Sequence, residues 1–178
     1  IVGLLDSASS GSYQLLNQEM IGLKEQQKSK FRKENIGFVF QNFNLIDELS
    51  VYDNIELPLI YNNVSASERR LKVDKIADRL GISHRLKHYP QQLSGGQQQR
   101  VAVARALISD PKIILADEPT GNLDSKNSEK IMELLISLQK KFNLTLIIVT
   151  HEKKISDQAS RVIELKDGKI ISDEKNKN

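Results

Sequence analysis

The chain has 178 residues, of which 39% are hydrophobic, enough for one domain with a packed core and too few for two. Its 26 basic and 23 acidic residues leave a net charge of +3 spread along the chain, and aromatics at 5% are not interleaved with arginine, which argues against a nucleic-acid partner. Without cysteine there can be no disulfide or thiolate metal site, and the longest apolar run falls far short of the roughly 20 residues that span a bilayer.

In chain order, the apolar residues 1–5 followed by the turn formers Asp6-Ser7-Ala8-Ser9-Ser10-Gly11 read as the end of a helix entering a loop. Ile1 rather than Met opens the chain and no signal-peptide pattern is present, so an N-terminal piece is expected to precede it. Ile36-Gly37-Phe38-Val39-Phe40 is a β-rich run ending at Gln41. A polar and aromatic loop follows, then a helix from Val51 to about Tyr61. Ser65 and Glu68 have the spacing of a capping box, and Val73, Ile76, Ala77 and Leu80 recur at helical spacing before Gly81.

From Lys112 the pattern changes. Ile113-Ile114-Leu115-Ala116 and Leu144 to Val149 are continuous apolar runs, as expected of strands buried on both faces. Between them Ile131, Leu134, Leu135, Leu138 and Phe142 form a helical stripe. Strand, helix, strand with a crossover of this length is a βαβ unit and implies an α/β fold with a parallel sheet. The expected organisation is one domain over 1–178. Within it, 1–41 and 111–171 form the α/β core, 42–110 an inserted helical subdomain, and 172–178 a charged tail that frays.

Two clusters carry chemistry. Asp117 and Glu118 follow an apolar strand directly, where open α/β sheets bind ligands. One carboxylate there can hold Mg²⁺ while its neighbour orients or deprotonates a water attacking phosphorus. Alone this pair is a weak signal, because apolar strands often end in acids. Upstream stands Leu93-Ser94-Gly95-Gly96-Gln97 at the start of a helical run. Its glycines admit backbone N–H groups to an anion, Ser94 adds a hydroxyl, and the helix points its positive end the same way.

Residues 93–97 resemble the signature of ABC-type ATPases, and Ile113 to Glu118 resembles their Walker B strand with its catalytic glutamate. Gln41 is similar to the Q-loop glutamine, Asn122-Leu123-Asp124 to the D-loop, and His151 to the switch histidine, which in isolation would more often be a structural strand-end histidine. The family's order and spacing are kept throughout. Residues 88–100 and 116–124 resemble the ATPase subunits of lipoprotein-releasing, macrolide and antimicrobial-peptide exporters.

The resemblance implies a P-loop NTPase-like core, ATP and Mg²⁺ as cofactors, and a head-to-tail homodimer at the cytoplasmic face of a membrane, held there by an integral permease. It implies Glu118 and His151 as catalytic, Asp117 and Gln41 as Mg²⁺ contacts, and Gln41, Ser94, Gly95, Gly96, Gln97 and Asp124 as nucleotide-binding. It also implies that residues 42–59 grip a helix of the permease. One departure stands out: G-x-x-x-x-G-K-[ST] is absent, since Gly168-Lys169 is followed by Ile170. The antiparallel strands and phosphate loop of such a domain are therefore expected upstream of Ile1, and the 178 residues alone are expected to be inactive. Two other readings compete. A soluble ATPase of translation or DNA repair would need a basic face or a coiled-coil insertion, and neither is seen. A non-enzymatic dimerisation or regulatory fragment is the other.

Overall fold

The computed structural model describes residues 1–176. Its centre is a three-stranded parallel sheet in the order β3 (Ile36–Phe40), β4 (Ile113–Asp117), β5 (Thr145–Val149). The register sets Phe40 beside Asp117 and Asp117 beside Val149. Three chain segments therefore leave the same sheet edge together: Gln41, Glu118 and Thr150 each follow one of these paired residues. Before the sheet come the small hairpin β1 (Gln14–Leu15) and β2 (Gln18–Glu19) and helix α1 (Glu25–Asn35). Helices α2 (Val51–Tyr61), α3 (Ala66–Arg79) and α4 (Gly95–Leu107) lie between β3 and β4, and α5 (Ser125–Phe142) is the crossover to β5. The short α6 (Lys153–Ser156) leads to the antiparallel hairpin β6 (Arg161–Lys166) and β7 (Lys169–Lys175).

The α/β class and parallel sheet expected from the sequence are present. Helices α2 and α3 start as their residues dictate: Ser50 and Ser65 each accept from the backbone N–H three residues on, satisfying a donor the helix cannot. Helix α4 packs directly on β3, and the contact needs Gly37, where a Cβ would stand 2.3 Å from the Ala106 carbonyl oxygen. One continuous buried cluster runs from Val51, Ile55 and Val73 on the helices through Val103 and Ala104 to Val39 and Ile114 on the sheet.

Three expectations are corrected. Residues 1–5 form turns closed by the Leu4 N–H bonding the Ile1 carbonyl, with Leu4 at φ 58°, and no helix ends there. Strand β5 is not buried on both faces. It pairs only with β4 among the described strands, and Ile147 and Val149 are 38% and 61% exposed. The charged tail is ordered through Lys175. Ser172, Asp173, Glu174 and Lys175 pair with Glu164, Ile163, Val162 and Arg161, and Arg161 grips both Asp173 oxygens at 2.8 and 2.7 Å. Residues 177 and 178 of that tail lie outside the described residues.

Candidate functional site

The three parallel strands converge at their C-terminal ends. Glu118 continues from β4 with its N–H bonded to the Val149 carbonyl at 2.9 Å, so the β4–β5 pairing persists one residue beyond the sheet. Its backbone has φ 43°, a left-handed conformation costing about 1–3 kcal/mol for a residue with a side chain. The carboxylate is held from two sides. Oε1 accepts from the His151 N–H at 2.9 Å and meets His151 Nδ1 at 2.6 Å, while Oε2 accepts from the Thr150 hydroxyl at 3.2 Å. The Glu118 side chain is 17% exposed and that of His151 81%. Because a carboxylate only accepts, Nδ1 carries the proton, and Nε2 of a neutral ring is then an acceptor facing outward. His151 could donate from Nε2 only as imidazolium.

Asp117 ends β4 exposed, and its carboxylate has no hydrogen-bond partner among the described residues. Gln41 lies across the neighbouring loop. Its Nε2 donates to Asn122 Oδ1 at 3.3 Å, and the Asn122 amide donates to the Gln41 carbonyl at 3.1 Å and to Asn42 Oδ1 at 2.8 Å. No group of three His, Cys, Asp or Glu able to hold a metal occurs among the described residues. Asp117 and Gln41 Oε1, which has no partner among the described residues, nonetheless suit Mg²⁺, which takes one or two protein oxygens and fills its octahedron with water and substrate phosphate.

The turn at residues 94–97 packs beside the loops after β3 and β4, where a Cβ on Gly95 would come to 3.7 Å of the Asn122 carbonyl and of Phe43. Ser94 caps α4, accepting from the Gln97 N–H at 3.4 Å while its own N–H donates to Gln97 Oε1 at 3.0 Å. Its glycines have a packing reason as well as an anion-binding one. A Cβ on Gly95 would come to 3.2 Å of Leu123, and one on Gly96 to 3.1 Å of Asn127. No hydrogen bond among the described residues joins residues 94–97 to Gln41, Asp117, Glu118 or His151. Asp124 caps α5, accepting from the Asn127 N–H at 2.9 Å and its side-chain amide at 2.6 Å, and these bonds hold its carboxyl below the usual range.

Three residues escaped the sequence reading. Gln99 on α4 is 0% exposed, and its Nε2 donates to the Pro119 carbonyl at 2.6 Å and the Phe40 carbonyl at 3.5 Å, stapling the chain on either side of Gln41 and Glu118. Its Oε1 is buried without a partner. Asn54 folds the loop after Gln41 by donating to the Ile46, Leu49 and Ser50 carbonyls and accepting from the Ile46 N–H at 2.8 Å. Arg105 donates to the carbonyls of Phe43 and Asn44, both in left-handed backbone, and burial pulls its guanidinium below the ordinary range. Asn54 and Arg105 sit in no motif, Gln99 lies in the stretch 88–100 that carries the resemblance but had no role there, and polar residues in an apolar helical stripe were the available signal.

A family model described as ABC transporter matches residues 1–121. The chain belongs to the ABC transporter family. It is similar to an uncharacterized ABC transporter ATP-binding protein of Methanocaldococcus jannaschii, 45% identical over 171 residues covering 96% of this chain and 76% of that protein. It is similar at 47% identity to the macrolide export ATP-binding/permease protein MacB of Bdellovibrio bacteriovorus, over 98% of this chain but only 26% of that protein. The chain thus spans about a quarter of the length of such relatives. Among solved structures it resembles the ATP-binding cassette MJ0796 in a dimeric post-hydrolysis state bound to ADP and Pi. That likeness has a TM-score of 0.87 at 43% identity, covering 98% of this chain and 77% of that one. The chain is therefore an ABC ATP-binding domain, and its parallel sheet is that of the cassette. Among the described residues no helix is long and apolar enough to cross a membrane.

Proposed function

We propose that this domain hydrolyses ATP for a transporter that exports or releases its substrate through a membrane permease, and that two copies pair head to tail around the nucleotide. The observation that carries the reading is the convergence on one sheet edge of Glu118, held by Thr150 and His151, with Asp117 and Gln41 beside it. A carboxylate so placed can orient a water toward the γ-phosphorus and take its proton as the bond to the β-γ bridging oxygen breaks. Asp117 and Gln41 would hold Mg²⁺, which would bind and neutralise the phosphate oxygens. His151, charged and turned to the nucleotide, would stabilise the developing negative charge. Ser94, Gly95, Gly96 and Gln97 would close over the γ-phosphate held by a second copy, with Asp124 at the seam. Residues 42–110 would act as the moving lobe. Export is supported by the macrolide exporters among the relatives, whose names join an ATP-binding part to a permease. A partner of that kind would place the domain at the cytoplasmic face of a membrane. Within residues 42–59, Leu45 packs against the core whereas Ile46 is exposed, so Ile46 is the better candidate for a permease contact.

The test is Glu118→Gln in a cassette in which a phosphate-binding loop precedes Ile1. The amide keeps size and accepts hydrogen bonds but cannot take a proton, so turnover should fall by roughly 10²-fold or more while ATP affinity holds. Hydrolysis at the parental rate would remove Glu118 from its assigned role.

A further inference from the structure

Gln41 ends in an amide whose two faces are chemically opposite. Its oxygen can meet a cation and its NH₂ cannot, so a side chain free to turn would present the wrong end part of the time. Gln41 is exposed, and among the described residues no hydrogen bond from its own loop holds its amide.

The fixing comes from 81 residues away. Asn122, in the loop after β4, faces the main-chain carbonyl of Gln41 at 3.1 Å. That oxygen can only accept, so the Asn122 atom turned to it must be the nitrogen. The same nitrogen also meets Asn42 Oδ1 at 2.8 Å. The other end of the Asn122 amide is then its oxygen, which can only accept, and the Gln41 atom 3.3 Å from it must be Nε2. Two amides are thus oriented in series from one unambiguous acceptor, and Gln41 Oε1 is left without a partner among the described residues. Gly121 makes the seat: a Cβ there would stand 2.6 Å from Gln41 Nε2 and 2.9 Å from Cδ, so a side chain at this position would displace the amide.

We propose that Asn122 is a positioning residue that turns the Gln41 amide oxygen toward the metal-bound nucleotide. The inference rests on the reading of Gln41 as a metal contact made above. Asn122 itself touches neither metal nor nucleotide. It works through Gln41, and in doing so ties the loop after β3 to the loop after β4 that carries Glu118.

The test measures binding of a fluorescent ATP analogue with Mn²⁺ and in EDTA, using a cassette with its phosphate-binding loop. The Mn²⁺ resonance linewidth reports the metal's ligands independently of turnover. Asn122→Leu should weaken metal-nucleotide binding roughly 3- to 10-fold, the worth of one or two net hydrogen bonds, and leave metal-free binding within about twofold. Asn122→Ser, smaller at this exposed position, should do the same. Gln41→Ala should give a similar loss, and the double variant should add nothing to it, as expected of two residues acting through one contact. If Gln41→Ala weakens metal-dependent binding while both Asn122 variants match the parent, or if the losses add, Asn122 does not act through Gln41 and the proposal falls, with the Gln41 reading intact. If Gln41→Ala itself leaves metal-dependent binding unchanged, Gln41 is no metal contact and both fall together.

Discussion

Gln99 sets the precision of the sheet edge. A fully buried amide bonded to two carbonyls, with its own oxygen unpaired, costs free energy that a leucine of similar volume would not. What the amide contributes is a donor shared by Phe40 and Pro119, the residues that flank Gln41 and Glu118 on the chain. Charge at this point should be intolerable, because one carboxylate oxygen would face the Phe40 and Pro119 carbonyl oxygens and the other would be buried without a donor. Gln99→Glu should lose about 3 kcal/mol or more in urea unfolding at neutral pH, as for an uncompensated buried charge. Gln99→Leu should lose less. Burial raises the pKa of such a carboxyl in the folded state, so it folds most readily protonated, and the deficit of Gln99→Glu should shrink as pH falls. Equal stability of the two variants at neutral pH would mean that the site is wet.

At the scale of elements, α5 depends on a cap that is also a motif residue. The bonds from Asn127 lower the Asp124 pKa in the folded protein. The ionised cap therefore stabilises α5 above the pKa of the unfolded chain and stops doing so as pH falls through the lower folded value. The Tm gap between the parent and Asp124→Ala should be widest near neutral pH and close below the ordinary carboxylate range. A gap independent of pH would show that Asp124 acts through something other than its charge. The helix at α2, the cap and stripe of α3 and the stripe of α5 were legible because each signal is local: a side chain and a backbone N–H three residues apart, or apolar residues on one helical face. Hairpin β6–β7 was missed although its signal is also local. Asp167 and Gly168, at φ 49° and 74°, form the tight turn that joins Lys166 and Lys169, but the strand's charges suggested a solvated tail. The exposure of β5 was not legible at all. Apolar runs report that a strand can be buried on both faces, whereas burial depends on what lies beside it.

For the whole molecule, five short motifs gave most of the candidate site, since Gln41, Asp117, Glu118 and His151 all fall at the ends of strands that the sequence already marked. What holds them there was hidden, because Gln99, Asn122 and Arg105 act across 20 to 81 residues of chain and leave no periodic trace. The dimer reading depends on residues 94–97 acting on the nucleotide of a second copy. If the signature turn serves a neighbouring copy, a domain that binds ATP but cannot cleave it should be trapped in the closed pair. The decisive measurement is the mass, by light scattering after size exclusion, of Glu118→Gln in a cassette with its phosphate-binding loop. It should be that of a dimer in MgATP and of a monomer in MgADP, and adding Ser94→Arg should return the MgATP sample to monomer. The same mass in both nucleotides, or a dimer that survives Ser94→Arg, would contradict the composite site.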